Sequence, residues 1–349
     1  NKDVTFTWKK DGAPYVVSED LTINPSGSNI PSTTTWIIQS GTIIKFKKDV
    51  DVYISSTTAN NNGAVQATGV TFQGYNATDG WNGFGFRANT NDSKTLLDSC
   101  IIQDASWAIY CTGASPTIKN STINNNTNGI YSDGSSSPII WNNTFSNITG
   151  TTISMEVTQI DSSINGLTVS NNTNNFIEVK GDLLSEYGRT YDWLDPGIPY
   201  RLEGDLNVYD DDGSQNDEED ATVLKIYPGT TVQFNENKYL QIGGDGNQRG
   251  ALDARGVTFT AVDTSKVWGG INIHDGSINS TVIDSNIIEY TNWAFEIWSG
   301  ATPAIKNNTI RYNTDYGIYS HGHGRNTRIT GNTFLENNSI ASLRVMDLD

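Results

Sequence analysis

The chain is written in very short apolar pulses. Between Ser99 and Val157, one to three apolar residues alternate with polar ones and then stop at Asn, Gly, Ser or Asp, as in Thr122-Ile123-Asn124 and Thr144-Phe145-Ser146. Alternation over so few residues, closed by turn formers, predicts short half-buried strands rather than helices. The pulses also repeat. Ile102, Ile123 and Phe145 form one column, Ile109 and Ile130 a second, and Ile118 and Ile139 a third, at a period of about 22 residues. So short a period marks a solenoid, in which each coil buries its apolar side chains against the coils on either side. Three short strands per coil, with abundant Asn, Gly and Thr, predict an all-β, right-handed parallel β-helix; helical solenoids need about 33 residues or more per repeat. The Asn and Thr columns are expected to satisfy their hydrogen bonds by bridging to neighbouring coils.

The pattern is duplicated on a larger scale. Ser285–Val345 repeats it at an offset of about 187 residues. Trp107 matches Trp293, Pro116 matches Pro303, and Lys119-Asn120 matches Lys306-Asn307. Further back, Gly41–Phe46 matches Gly229–Phe234 and Trp81 matches Trp268. The expected organisation is two homologous β-helix modules, residues 1–185 and 186–349, stacked as one continuous solenoid. The irregular stretch Ser55–Gly63 is expected as a loop.

Composition narrows the partners. The 349 residues carry 22 Lys and Arg against 39 Asp and Glu, a formal net charge of −17. That balance argues against nucleic acid, which demands a basic stripe. No apolar run approaches the roughly 20 residues of a membrane span, so no membrane insertion is expected. Cys100 and Cys111 share one coil at inward parity and are expected as buried thiols, with a disulfide as the alternative. The Asn-x-Ser/Thr triplets read as coil architecture first and glycosylation acceptors second. The densest charge run gathers Asp210, Asp211, Asp212 and Asp217 around Gly213. Oxygen donors in that number could hold Ca2+, although the spacing is not that of an EF-hand; the alternative is a solvated acidic loop.

Candidate chemistry emerges from comparing the halves. The fold constrains inward residues of both modules alike and leaves outward ones free, so outward differences point to function. Gln103 and Asp104 become Glu289 and Tyr290; Asn124 and Asn125 become Arg311 and Tyr312. Tyr110 and Thr112 become Glu296 and Trp298; Arg87 becomes His274 and Asp133 becomes His321. All three histidines, His274, His321 and His323, lie in the second module, the last two in Ser320-His-Gly-His-Gly-Arg325. Sugar rings stack on aromatic faces, so His274, Glu289, Tyr290, Glu296, Trp298 and Tyr319 are candidate substrate-binding residues. Removing the proton beside a uronate carboxylate needs a base and a stabilising cation, for which Arg311, Tyr312, His321, His323 and Arg325 are the catalytic candidates. A glycosidase would need two carboxylates across the bond, such as Glu289 with Glu296 or Asp315. Plainer alternatives are a flexible turn at the His loop, too few donors there for a transition metal, an architectural Trp293, and a surface ion pair between Glu289 and Arg311.

The phrases Gly-Ala-Ser-Pro-Thr-Ile-Lys-Asn-Ser-Thr-Ile at 113–123, Gly-Ile-Tyr-Ser at 129–132 and 317–320, and Pro-Gly-Thr-Thr-Val-Gln-Phe at 228–234 resemble those of secreted right-handed parallel β-helix repeat proteins. These belong to the pectate-lyase-like superfamily. The Asn-rich, duplicated form is also similar to the disaggregatase-associated proteins of methanogens. The resemblance spans most of the chain. It implies a β-helix at the cell surface or outside the cell, with polysaccharide as partner and either lyase, hydrolase or purely structural roles. The clustered aspartates of polygalacturonases, and the Ca2+ cluster with following Arg of pectate lyases, are not found at matching coils. The leading expectation is an extracellular polysaccharide-binding β-helix that cleaves a uronate-containing glycan by β-elimination. A non-catalytic adhesin or envelope protein and a glycoside hydrolase are the alternatives.

Overall fold

The strands Ile101–Gln103, Thr122–Asn124 and Thr144–Ser146 lie side by side and parallel, with Ile102 opposite Ile123 and Ile123 opposite Phe145. Ile109 pairs with Ile130 in the same way, and all five side chains are fully buried. These strands belong to a computed structural model that describes residues 3–24, 32–56, 61–76, 78, 80–210, 220–322, 327–335 and 341–345. Among the described residues there are parallel strands and two short 3-10 turns but no α-helix. The chain is a right-handed parallel β-helix. No helix among the described residues is long and apolar enough to cross a membrane.

Two expectations shift. The third column is offset by one residue: Ile118 pairs with Ile140, and Ile139 stands opposite Thr117. Both isoleucines compete for the inward place, and the turn at Asp133–Ser137 takes one residue more than the equivalent turn a coil earlier, so Ile140 points in. The Ser55–Gly63 stretch also enters strand earlier than its composition suggests. Strand Asn61–Thr68 already pairs Asn62 and Gly63 with Thr33 and Thr34 of the long neighbour Ser32–Ile38. Gly63 fits there because a Cβ would stand 2.0 Å from the Ile23 carbonyl oxygen.

Contacts divide the chain into two compact units, residues 1–159 with 163–177, and 160–162 with 178–349. In the first, each coil gives one strand to each of three parallel sheets; its third sheet runs through Leu21–Ile23, Asp51–Ile54, Gly83–Arg87, Trp107–Thr112, Asn128–Ser132 and Ile153–Glu156. The second unit repeats the plan, and its sheet equivalent to that third one contains Tyr239–Ile242, Gly270–Ile273, Trp293–Ile297, Tyr316–Ser320 and Ala341–Val345.

The cores of the two units hold similar aromatic pairs. Trp81 lies flat on Phe46, ring centres 4.2 Å apart, and Trp268 lies flat on Phe234 at 4.4 Å. Each indole N–H donates to the next coil's carbonyl, that of Gln103 and that of Glu289, both at 2.9 Å. Buried asparagines tie the coils together as expected. Asn143 accepts from the Ser121 backbone N–H at 2.9 Å and donates to the Ile118 carbonyl at 2.8 Å. Asn308 does the same for Asn286 and Ile283. Cys100 and Cys111 are buried free thiols. Burial pushes Cys100 up to about 11 and raises Cys111 as well, which keeps both protonated and unreactive.

Candidate functional site

In the second unit, strands Gly270–Ile273, Trp293–Ile297 and Tyr316–Ser320 place Ile273, Ile297 and Ser320 in one rung. The residues immediately after them, His274, Trp298 and His321, therefore come into line. Their rings stack: His274 lies 5.2 Å from Trp298 with 27° between planes, and Trp298 lies 4.3 Å from His321 at 16°. The adjoining outward row runs Asn272, Glu296, Tyr319 and Arg344. Glu296 Oε1 sits 2.8 Å from His321 Nε2. Tyr319 rests on Trp293 at 5.1 Å and meets His321 edge-on at 4.7 Å. The Arg344 guanidinium lies 5.7 Å from the Tyr319 ring centre and donates to the Tyr316 hydroxyl at 2.5 Å. His274 Nδ1 is 3.7 Å from Asp245 Oδ1 at the far end of the row.

A second cluster forms where strand Ile287–Glu289 pairs with Thr309–Arg311, which sets Glu289 opposite Arg311. Arg311 Nε donates to Glu289 Oε2 at 2.7 Å, while Thr260 donates to Oε1 at 3.0 Å. The bond to Glu289 raises Arg311 above its ordinary value, so the guanidinium is charged and committed to that carboxylate. Beside it Tyr290 and Tyr312 stack at 5.0 Å and 16°. Both have left-handed backbones, φ 59° and 58°. In the first unit the matching corners are Asp104, Asn125, Asn147 and Asn171, at φ 54° to 63°.

The expected site residues thus gather in two clusters. His274, Glu296, Trp298, Tyr319 and His321 form one; Glu289, Tyr290, Arg311 and Tyr312 form the other. His323 and Arg325 lie outside the described residues, as do Asp211, Asp212 and Asp217 of the acidic run. Asp210 is buried and accepts the Arg249 backbone N–H at 2.9 Å.

Sequence reasoning missed two features. Arg344 comes from the last described strand, and only the rung register brings it beside Tyr319. The other is a groove of about 450 Å3 in the first unit, walled by Tyr53, Trp107 and Tyr110. Its signal was a glycine, Gly85, among tyrosines of one outward column.

Residues 50–183 match the family model of the right-handed beta helix region, and residues 251–345 match that of the periplasmic copper-binding protein NosD. No curated protein and no solved structure matches the chain. Both matches fall on the coiled strands described above and support one architecture, a parallel β-helix built from repeats.

Proposed function

We propose that this chain is a β-helix that works outside the cytoplasm and binds polysaccharide on its second unit, at the Tyr290–Tyr312 corner and along the His274–Trp298–His321 row. The left-handed tyrosines carry this reading. A left-handed backbone costs an L-residue roughly 1–2 kcal/mol, and Asn, Asp and Gly are the residues that take it readily. The first unit uses Asp and Asn at the same corners, so the coil itself does not ask for a ring. Tyr312 is 37% exposed and faces outward, and strain sustained for an outward aromatic face marks a site of contact. Pyranose rings lie on such faces, with carboxylates, imidazoles and hydroxyls at the edges to bond their hydroxyl groups. The periplasmic description of the NosD family agrees with a location outside the cytoplasm.

Among the described residues, the copper in that family's description meets no matching donor set. His274 and His321 stack on opposite faces of Trp298, so one ion cannot take both imidazoles. Among the described residues no three His, Cys, Asp or Glu side chains are grouped to hold a metal ion.

The contact between Glu296 and His321 favours a second reading, β-elimination on a uronate. His321 would be the base, oriented through Nε2 by Glu296, with Arg344, against the neighbouring Tyr319 ring, as the cation. The C5 proton passes to the imidazole, its electron pair forms the C4–C5 double bond, and the C4–O bond breaks with its pair leaving on the oxygen of the departing sugar, which takes up a proton from water.

Affinity electrophoresis in gels cast with acidic and neutral polysaccharides tests binding. Retardation should weaken in Trp298→Ala and Tyr312→Asn; unchanged retardation in both variants overturns the reading. Ultraviolet absorbance of the unsaturated uronate, followed with and without Ca2+, tests elimination. A rise that is lost in His321→Ala supports the lyase, and no rise leaves a binding protein.

A further inference from the structure

On the third sheet of the first unit, one outward column reads Tyr53, Gly85, Tyr110, Tyr131 from strand to strand. Tyr110 and Tyr131 stack at 4.5 Å and 12°, the spacing neighbouring strands impose. Gly85 breaks this run of rings. Tyr53 and Tyr110 stand two strands apart, about 9.6 Å between backbones at ordinary strand spacing. The Tyr53 ring leans over Gly85, while the face of Tyr110 on that side carries no stacked ring from the next strand. The groove of about 450 Å3 opens here. That volume lies in the range of small-ligand sites.

The surroundings are fixed rather than slack. The Arg87 guanidinium sits 3.5 Å from the centre of the Tyr53 ring. The edge of that ring overlies Gly85, where a Cβ would stand 2.7 Å from Tyr53 Cδ1. Asp51 is held by Asn82 Nδ2 at 2.9 Å. On the far wall, Trp107 meets Tyr110 edge-on at 6.3 Å.

We infer that this groove binds one neutral pyranose ring, stacked on Tyr110 beside the Tyr53 edge that covers Gly85, with its hydroxyls on Asp51, Asn82 and Arg87. An apolar wall with polar groups around its rim is the recognition pattern of a sugar. A plain aromatic ring would desolvate those rim groups without repaying their hydrogen bonds. The sugar is neutral because Asp51 and Arg87 offset each other within the slot. The chain's net charge of −17 then works against a uronate. This site shares the stacking chemistry of the second-unit reading but none of its residues.

The experiment is calorimetric titration of the full chain with maltose, cellobiose and mannobiose, beside digalacturonate. A neutral disaccharide should bind the wild type and weaken about tenfold in Tyr110→Ala and in Gly85→Val. Absence of neutral-sugar binding, preference for digalacturonate, or equal binding by Tyr110→Ala each overturns the slot. Loss confined to Trp298→Ala moves the sugar to the second unit, overturning this inference and sparing the earlier one. Neutral-sugar binding that survives alongside unchanged polysaccharide retardation in Trp298→Ala and Tyr312→Asn does the reverse.

Discussion

Trp298 and His321 lie face to face, ring centres 4.3 Å apart and 16° from parallel, in a column that the first unit fills with Thr112 and Asp133. The coil does without the ring in the first unit, and Trp298 is 40% exposed and stacked between two surface histidines. Truncation to Ala should therefore cost the two histidine stacks, about 0.5–1.5 kcal/mol each, and the partial burial of the ring, without opening a cavity in the core. Urea denaturation is expected to show a small loss of stability, while polysaccharide retardation falls sharply. A large loss of stability with unchanged retardation would make Trp298 a structural residue.

The Tyr312→Asn variant should move stability and binding in opposite directions. Asn accepts the left-handed φ of 58° that Tyr pays for, and Asn125 and Asn147 hold the same conformation in the first unit. The variant should gain roughly 1 kcal/mol by urea denaturation, less what the stack on Tyr290 supplied. Gel retardation by polysaccharide should weaken at the same time, as expected where function maintains strain. A variant that is less stable than the wild type would show that the Tyr290–Tyr312 pair supports the coil.

The fold was legible because the solenoid repeats its demands: Ile102, Ile123 and Phe145 meet the same inward place in successive coils. The third column slipped at Ile139–Ile140, since two adjacent isoleucines give alternation nothing to choose between and only the turn length decides. Comparing the halves located His274, Trp298 and His321, which stack because one rung carries all three. It did not reveal the first-unit slot. Differences between modules pick out residues that one half has gained, whereas Gly85 acts by lacking a side chain. Its effect depends on the register that sets it between Tyr53 and Tyr110.

The asparagine bridges set a stability cost that both units should share. Asn143 is fully buried and pairs with the Ser121 N–H and the Ile118 carbonyl, so Asn143→Ala strands two backbone groups away from water. Each unsatisfied group costs about 1–3 kcal/mol, which puts the variant at roughly 2–6 kcal/mol. Asn308→Ala removes the equivalent bridge in the second unit and should cost a similar amount. Denaturant midpoints for the two variants test this, and a loss below about 1 kcal/mol in either would mean that water replaces the amide.

Acid should act through carboxylates tied into the same coil corners. Asp284 accepts hydrogen bonds from Asn307 Nδ2 at 3.0 Å and from the Ser285 hydroxyl at 2.9 Å. These bonds, Asn307's first, hold its carboxyl below the ordinary range. A carboxylate depressed in the native state stabilises the fold at every pH above the unfolded value of about 3.9. That contribution disappears as the pH falls through this value toward the native one, because the proton then binds the unfolded chain first. Wild type should therefore be more stable than Asp284→Asn at neutral pH, with the difference shrinking below about pH 4. Urea midpoints at neutral pH and near pH 3 measure it; a gap of constant size across that window would mean the ionised carboxylate contributes nothing beyond its shape.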